Sequence, residues 1–354
     1  MTSVTVENVW KIFGVRAAEV LEAARRGDVD KTQALEQYNC VIGVADVSFH
    51  AEPGEIFCIM GLSGSGKSTL VRHINRLLEP TAGAVRIGGD DITAMDEKAL
   101  RDLRNRRVGM VFQSFGLMPH RTVRENAALP LEIRGLSRAA QRDAAEEALT
   151  AVGLDGWGDK YADELSGGMQ QRVGLARAIV ADPEIMLMDE PFSALDPLIR
   201  RQLQNQFLQL ARAMGKTTLF ITHDLDEAIR IGRRIAIMRD GRIVQTGCPA
   251  DIVLRPANEY VADFVAGMSR MKFITASAVM KPTKEWTATN GTPPENAPTV
   301  SENDNLDVLI RRSLDGSGVI RVQNGTETVG VVDRQMILRA LCADEKPTDN
   351  ERRY

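Results

Sequence analysis

Several residue types that mark special classes of protein are scarce in this sequence of 354 residues. The four cysteines lie far apart without a CxxC pair, so neither a disulfide framework nor a cysteine zinc site is predicted. No apolar run approaches the roughly 18 residues that a membrane-spanning helix needs. Residues 1–18 carry charges where a secretory signal requires an unbroken apolar core, so no signal peptide is expected.

An excess of basic charge is also missing, because 44 Lys and Arg residues stand against 48 Asp and Glu residues. The formal net charge of -4 gives no global attraction to polyanions, so nucleic acid is not an expected partner. The composition is that of a globular protein, with 44% hydrophobic and 26% charged residues. The length allows one large and one smaller domain. The expected location is the cytosol, unless a partner holds the chain at a membrane.

Short apolar segments alternate with helical patterns after Glu55, which is typical of a mainly parallel sheet flanked by helices. The predicted strands of this sheet are residues 56–60, 108–112, 185–188, 218–221 and 235–238. Two earlier strands are predicted at residues 4–9, as an edge strand, and at residues 43–51. The charged segment between them predicts an inserted helical pair around Gly27, at about residues 17–40. Helices predicted at residues 138–152 and 167–181 form a helical subdomain.

The composition shifts after about residue 267. Residues 280–300 collect proline, threonine and asparagine with little hydrophobic period, which predicts a linker or loose loop, and residues 268–298 are assigned to the linker. Residues 299–343 predict a short αβ module that ends in a helix from Arg334, and it is too small to be independent. Residues 344–354 are assigned to a tail.

A glycine-rich loop follows the first strand of the predicted parallel sheet and opens a helix. Its residues are Gly61, Leu62, Ser63, Gly64, Ser65, Gly66, Lys67, Ser68 and Thr69. Glycines let successive backbone N–H groups surround phosphate oxygens, Lys67 neutralises phosphate charge, and the Ser68 hydroxyl is suited to ligate Mg²⁺. A flexible Gly/Ser loop is the alternative, which the flanking strand and helix disfavour. The predicted ligands are a nucleoside triphosphate and Mg²⁺.

Another apolar strand ends at two carboxylates, Asp189 and Glu190. A buried strand would bring Asp189 to the carboxyl edge of the sheet, where it can hold Mg²⁺ through water. Glu190 then points elsewhere and is suited to polarise an attacking water at the γ-phosphate. In isolation such a pair is more often a solvated strand end, but the glycine loop favours the functional interpretation.

A second glycine pair directly follows a serine that is suited to cap a helix. The residues are Ser166, Gly167 and Gly168, with Gln170 in the next turn. They predict a second anion-binding helix N-terminus. A single subunit that already holds phosphates in its glycine loop would not need one.

With both glycine turns present, the chain resembles the ATPases of ATP-binding cassette (ABC) transporters. The resemblance continues through Gln113, residues 193–196 and His223. It implies that the serine-capped turn completes the nucleotide site of a second copy, so that a homodimer clamps two ATP molecules head to tail. The implied catalytic residues are Glu190 as the main base, His223 at the γ-phosphate and Gln113, which also contacts Mg²⁺. Taken outside this set, a surface amide and a structural histidine are the simpler interpretations of Gln113 and His223.

The resemblance implies an α/β fold over residues 1–267. It is an ABC-type P-loop ATPase cassette with a RecA-like, mainly parallel sheet, an antiparallel β subdomain and a helical signature subdomain. In this family an aromatic ring stacks on adenine, and such stacking is typically worth about 1–3 kcal/mol. Phe13 falls at the matching position, with Trp10 and Tyr38 as alternatives.

Several longer stretches resemble one branch of the family, the ATPase subunits of importers for glycine betaine, proline and choline. They are the inserted helices before Val41 and residues 54–83, 108–126, 163–179, 192–200 and 222–238. This resemblance implies an ATP-hydrolysing subunit on the cytoplasmic face of the cell membrane, with permease subunits and a substrate-binding protein as partners. The alternatives are an ATPase of another importer or exporter, or one that acts on nucleic acid.

Members of that branch often end in paired CBS modules, which sense adenine nucleotides or ionic strength. Residues 299–343 resemble one such motif, whereas residues 274–282 resemble only the start of another. The expected fold is thus the cassette followed by a small CBS-like α+β tail. Two roles stay open for this tail, regulation by a ligand and stabilisation of a dimer.

Overall fold

The computed structural model describes residues 2–113, 116–193, 195–266, 271, 273–314 and 318–342, so Ala194 and the predicted tail at residues 344–354 lie outside the described residues. The strands are β1 (Val4–Phe13), β2 (Val41–Ala51), β3 (Ile56–Met60), β4 (Ala82–Ile87), β5 (Asp90–Asp91), β6 (Val108–Val111), β7 (Ile185–Asp189), β8 (Thr217–Thr222), β9 (Arg234–Arg239), β10 (Arg242–Gly247), β11 (Lys281–Pro282), β12 (Thr299–Ser301), β13 (Val319–Asn324) and β14 (Glu327–Asp333). The helices are α1 (Ala17–Arg26), α2 (Lys31–Tyr38), α3 (Lys67–Ile74), α4 (Glu97–Arg107), α5 (Val123–Ile133), α6 (Arg138–Ala151), α7 (Gly167–Ile179), α8 (Pro197–Met214), α9 (Leu225–Ile231), α10 (Pro249–Leu254), α11 (Glu259–Val265), α12 (Ala276–Val279), α13 (Thr283–Asn290), α14 (Leu306–Ser313) and α15 (Arg334–Cys342).

The central sheet has six strands in the order β10-β9-β3-β8-β7-β6. All neighbouring pairs are parallel except β10 with β9. Strands β7 and β8 are buried along their whole length, which explains the apolar runs at residues 185–188 and 219–221. Because parallel strands end at one edge of a sheet, the loops after β3, β6, β7 and β8 converge there.

The second sheet has four strands in the order β2-β1-β4-β5, with antiparallel neighbours. Strand β1 therefore lies between β2 and β4, and the prediction of an edge strand was wrong. Its alternating pattern indicates one buried face but contains no information about a second pairing partner distant in the chain. Strand β1 shares one apolar core with the central sheet, which includes Val4, Val6 and Leu187.

The predicted helical insertion between β1 and β2 is formed by α1 and α2. Helix α1 ends at Gly27, whose φ of 83° is left-handed and costs glycine no steric clash. Helix α2 begins at a capping box in which Asp30 and Gln33 bond each other's backbone N–H groups. Val20 and Ala34 are fully buried, and they pack in one small core with residues of β1 and β2.

The helical subdomain contains α5, α6 and α7. Buried Asn126 fixes the turn before α5, because its amide donates to the carbonyls of Met118, Arg121 and Thr122. Helix α7 begins directly after Ser166, whose hydroxyl accepts a hydrogen bond from the Met169 N–H at 3.4 Å. The predicted N-cap of this helix is therefore confirmed.

The chain divides into two compact units, residues 1–249 and 250–354. The second unit contains a four-stranded sheet in the order β11-β14-β13-β12, with a core that includes Leu306, Ile320 and Val332. Within residues 268–298, where a linker is predicted, the structure has α12, β11 and α13, and Trp286 of α13 is buried. Helix α13 was not predicted, because its sequence is rich in threonine, follows a proline and has only a weak hydrophobic period. The division at residue 249 differs from the predicted boundary near 267, which stays a prediction.

Among the helices that the structure describes, none combines the length and the apolar character required to cross a membrane.

Candidate functional site

The glycine loop connects β3 to α3, and its backbone leaves no room for side chains at two positions. Gly61 has a φ of 153°, and an added Cβ would lie 2.3 Å from the Met238 carbonyl oxygen. Gly66 has a φ of 100°, and its Cβ would lie 2.3 Å from the Gly43 carbonyl oxygen. Only glycine fits both the conformation and the space, which holds the loop close to neighbouring strands. Ser65 lies within this loop, and its side chain is buried.

Lys67 begins α3 and is buried at the centre of the loop. Its Nζ donates hydrogen bonds to the carbonyl oxygens of Gly61 at 2.8 Å and Leu62 at 3.0 Å. Burial lowers the pKa of its ammonium, while the carboxylates of Glu190 and Asp189 oppose that shift. The result is a desolvated cation held 3.9 Å from Glu190 Oε1.

Asp189 is the last residue of β7 and contacts Ser68, the second residue of α3. The Ser68 hydroxyl donates a hydrogen bond to Asp189 Oδ1 at 2.8 Å. Burial raises the pKa of the Asp189 carboxyl, and the bond from Ser68 partly offsets the increase. The hydroxyl oxygen of Ser68 and a carboxylate oxygen of Asp189 are thus in contact at the end of the glycine loop.

Glu190 follows β7 in a left-handed backbone conformation, with a φ of 47°. Its N–H donates to the Ile221 carbonyl oxygen of β8 at 3.0 Å, which fixes this conformation. Gln113 Nε2 donates to Glu190 Oε2 at 3.2 Å, and His223 Nδ1 lies 3.1 Å from the same oxygen. Side chains that follow β6 and β8 therefore both contact the Glu190 carboxylate, which follows β7.

A cleft of about 580 Å³ opens over these groups. Its lining includes the predicted residues Phe13, Ser63, Gly64, Gly66, Lys67, Ser68, Thr69, Gln113, Glu190 and His223. Phe13 is 40% exposed. Trp10 is buried in the small core of the insertion, and Tyr38 packs against that core. Of the three aromatic candidates, only Phe13 lines this cleft.

The residues of the second glycine turn do not line that cleft. The hydroxyl of Ser166 is engaged as the cap of α7. The amide of Gln170 donates to the carbonyl oxygens of Ala162 at 2.8 Å and Leu165 at 3.3 Å, which holds the turn that precedes the helix. An added Cβ at Gly168 would lie 2.8 Å from Ile199 Cγ2. Gly167 begins the helix next to this cap.

Lys31 and Val41 also line this cleft, although neither was predicted as a site residue. Both belong to the insertion or its end, and neither forms a recognisable motif. The only signal was the position of the insertion, which leaves β1 at Phe13 and rejoins β2 at Val41.

Known proteins resemble this chain over most of its length. The family model for ABC transporters matches residues 44–193. The glycine betaine/carnitine transport ATP-binding protein GbuA of Listeria monocytogenes is 52% identical over 280 residues, which cover 79% of this chain and 70% of that protein. The trimethylamine N-oxide transport ATP-binding protein TmoW of Ruegeria pomeroyi is 44% identical over 338 residues, which cover 96% of each.

A solved structure supports the same relationship. The dimeric ATP-binding cassette MJ0796, bound to ADP and phosphate, matches with a TM-score of 0.59 and 32% identity, covering 70% of this chain and 98% of that one. The family and the cassette fold implied by the sequence are thereby confirmed. The chain with its glycine loop, strand-end carboxylates and capped second turn belongs to the ABC transporter family, among its ATP-binding, ATP-hydrolysing subunits.

Proposed function

We propose that this chain powers the import of a quaternary ammonium or related osmoprotectant compound such as glycine betaine, choline or proline. The similarity to GbuA and TmoW supports this cargo class, because the names of both relatives refer to small methylated amines. The proposed partners are a second copy of the chain, integral-membrane permease subunits and a substrate-binding protein outside the membrane, without nucleic acid. The site of action is the cytoplasmic face of the membrane.

Hydrolysis is assigned to Glu190, with Gln113 and His223 as its partners. The carrying observation is the convergence of these side chains on Glu190 Oε2, opposite the buried ammonium of Lys67. A carboxylate held in this way can accept the proton of a water molecule as that water attacks the γ-phosphate. Lys67 and the loop N–H groups stabilise the charge on the phosphate oxygens, and His223 contacts the γ-phosphate.

Mg²⁺ fits the oxygen donors next to the loop. The Ser68 hydroxyl and Asp189 Oδ1 are 2.8 Å apart, and both are hard ligands of the type that Mg²⁺ prefers. Within the described residues no cluster of three or more His, Cys, Asp or Glu side chains could hold a metal, which suits an ion held mainly by one carboxylate and substrate phosphates. We assign Ser68, Asp189 and the Gln113 amide oxygen to this ion, which would neutralise phosphate charge.

Adenine is assigned to the exposed ring of Phe13, which lines the same cleft as Glu190. The Lys11 ammonium lies 5.1 Å from the centroid of this ring, so one region of the ring already carries a cation–π contact. The loop residues Ser63, Gly64, Ser65, Gly66 and Thr69 are assigned to the phosphates between Phe13 and Glu190.

The second glycine turn is assigned to the nucleotide of a partner copy. Ser166, Gly167 and Gly168 lie outside their own cleft, yet they form the start of a helix whose dipole favours an anion. Gln170 is assigned to the same turn, where its amide positions the backbone. ATP would then join two copies head to tail, and hydrolysis would remove the charge that bridges them.

The permease is assigned to the segment from Gln113 to His120, of which residues 114 and 115 lie outside the described residues, and to the groove that His120 lines. This groove has a volume of about 520 Å³ and is rich in arginine; its lining includes His120, Arg121, Arg138 and Arg142. Arg121 is paired with Glu132 within the groove. A cytoplasmic segment of the permease with acidic side chains would complement the remaining positive charge.

The CBS-like region of the second unit is proposed to regulate transport or to stabilise the dimer. Residues 299–343 remain assigned to one CBS-like motif, residues 268–298 to a linker with the partial start of another, and residues 1–267 to the ATPase domain. Transport of labelled glycine betaine and choline into membrane vesicles that contain the chain and its permease tests the cargo. Uptake that does not depend on ATP, or that excludes both compounds, would refute this assignment.

The substitution Glu190→Gln tests the hydrolytic assignment directly. The amide keeps the shape of the side chain but cannot accept a proton, so we expect ATP to bind and a closed dimer to accumulate. Turnover should fall by about 100-fold or more. The matched control is Glu184→Gln. Glu184 directly precedes β7, whereas Glu190 directly follows it, and the control variant should hydrolyse ATP normally. A Glu190→Gln variant with the turnover of the unsubstituted chain would disprove the role.

A further inference from the structure

Lys31 is a cation on the rim of the nucleotide cleft that no motif assigns. It begins α2 of the insertion, and its Nζ lies 3.5 Å from the Gly64 carbonyl oxygen of the glycine loop. The same nitrogen is 3.6 Å from Asp240 Oδ1. Lys31 lines the cleft together with Phe13 and Lys67. The insertion therefore brings a second lysine to the loop that holds Lys67.

The backbone at Lys31 is held firmly at this place. The capping box of Asp30 and Gln33 fixes the first turn of α2. Val29 and Ala34, on either side of that turn, are buried in the small core of the insertion. A side chain presented from a packed helix start loses less freedom on binding a ligand than one presented from a loose loop.

The ammonium of Lys31 is weakly engaged for a group that carries three N–H donors. Both of its contacts are long, and its side chain is 39% exposed. Asp240 also has Arg239 Nε at 3.4 Å from its other oxygen, so it would keep a cationic neighbour if Lys31 moved. The flexible stem of Lys31 can therefore turn toward a more strongly charged anion without leaving a carboxylate unpaired.

We infer that Lys31 binds the phosphate chain of the nucleotide held by the glycine loop. Lys67 approaches these phosphates from the buried side, whereas Lys31 approaches from the solvent side beside Gly64. The inference rests on the proposed function, because it takes this cleft to be the ATP site. Since Lys31 is presented by the insertion, bound nucleotide would also connect α2 to the glycine loop.

Competition binding with the purified full-length chain tests this contact. A fluorescent ATP analogue serves as the probe, and ATP, ADP and adenosine serve as competitors. For Lys31→Ala we expect the Kd of ATP and of ADP to rise by about 5- to 20-fold, as for a partly exposed charge-assisted contact. The Kd of adenosine, which has no phosphate, should change by less than about two-fold. Lys31→Arg should keep most of the affinity.

Two further variants separate the possible failures. Arg25→Ala removes a positive charge from the same insertion but away from the cleft, and should bind all three competitors normally. Lys67→Ala should bind ATP poorly, and an unaltered affinity would refute the proposed site itself. If Lys67→Ala behaves as expected while Lys31→Ala binds ATP like the unsubstituted chain, the Lys31 contact alone is wrong. An equal loss for adenosine would also overturn it, since that result indicates damage to the cleft.

Discussion

Two helices of the first unit begin at glycine turns, and their surroundings differ. Helix α3 begins in a cleft beside a buried lysine and the carboxylates that end β7. Helix α7 begins outside that cleft, and its first turn is satisfied by its own serine. Both helices have an N-terminus without an acidic residue in the first turn. At α3 this N-terminus is part of a complete cleft, and at α7 it is not. This difference is the basis of the proposal that one chain supplies half of each of two sites.

Ser166→Arg is the strongest way to break this comparison. A long cation at the start of α7 should block the approach of a partner copy, and turnover should fall by about 100-fold or more. Binding of ATP to one chain should stay within about two-fold, because Ser166 does not line its own cleft. Nucleotide binding and phosphate release measure the two effects.

The control for this substitution is Ser137→Arg. Ser137 caps α6 by accepting from the Ala140 N–H at 3.3 Å, much as Ser166 caps α7. Both variants should lose about 1 kcal/mol of stability with their cap. An equal loss of turnover in Ser137→Arg would show that a missing cap, and not the partner site, is responsible.

Gly66→Ala sharpens the comparison from the side of the completed loop. The new Cβ would lie 2.3 Å from the Gly43 carbonyl oxygen, and the φ of 100° disfavours any side chain. We expect the free energy of unfolding to fall by about 2–4 kcal/mol. Gly27→Ala is the control, because its φ of 83° is similar but no atom lies within 4 Å. It should cost about 1 kcal/mol in urea unfolding, and equal losses would contradict the steric argument.

The smallest expected effect concerns the buried acid behind the completed site. Glu227 accepts from Gln204 Nε2 at 2.9 Å, and burial raises the pKa of its carboxyl. As pH rises through the interval between its unfolded and folded pKa, the folded chain must ionise a desolvated group, so stability falls. Glu227→Gln lacks this loss. The stability of the variant relative to the unsubstituted chain should therefore rise by about 1 kcal/mol between about pH 4 and pH 8.

Urea unfolding at both pH values measures this change. Asp226→Asn, which removes an exposed carboxylate from the same helix, is the control, and a change of equal size in that variant would contradict burial as the cause. A stability difference for Glu227→Gln that stays constant with pH would contradict the assignment of a buried, ionising carboxyl.

The sequence could predict those parts of the site that follow from short segments. The glycine loop and the strand-end carboxylates contain their chemistry within a few residues, and the parallel sheet brings their ends to one edge. Strand order was harder, because the neighbours of β1 are set by distant residues.

The parts that sequence reasoning missed depend on tertiary position. Lys31 is one lysine among many until the insertion folds over the strands that carry Phe13 and Val41. Helix α13 was hidden by threonine, yet burial of Trp286 outweighs that weak local preference. Local propensity therefore predicted most elements, and packing decided the exceptions.

The backbone at Glu190 imposes a cost that the protein carries before any substrate binds. A non-glycine residue with a φ of 47° costs on the order of 1 kcal/mol or more. Stability alone would favour glycine or asparagine at this position. The resting protein therefore bears a permanent conformational penalty, and in return the Glu190 carboxylate is already held beside Gln113 and His223.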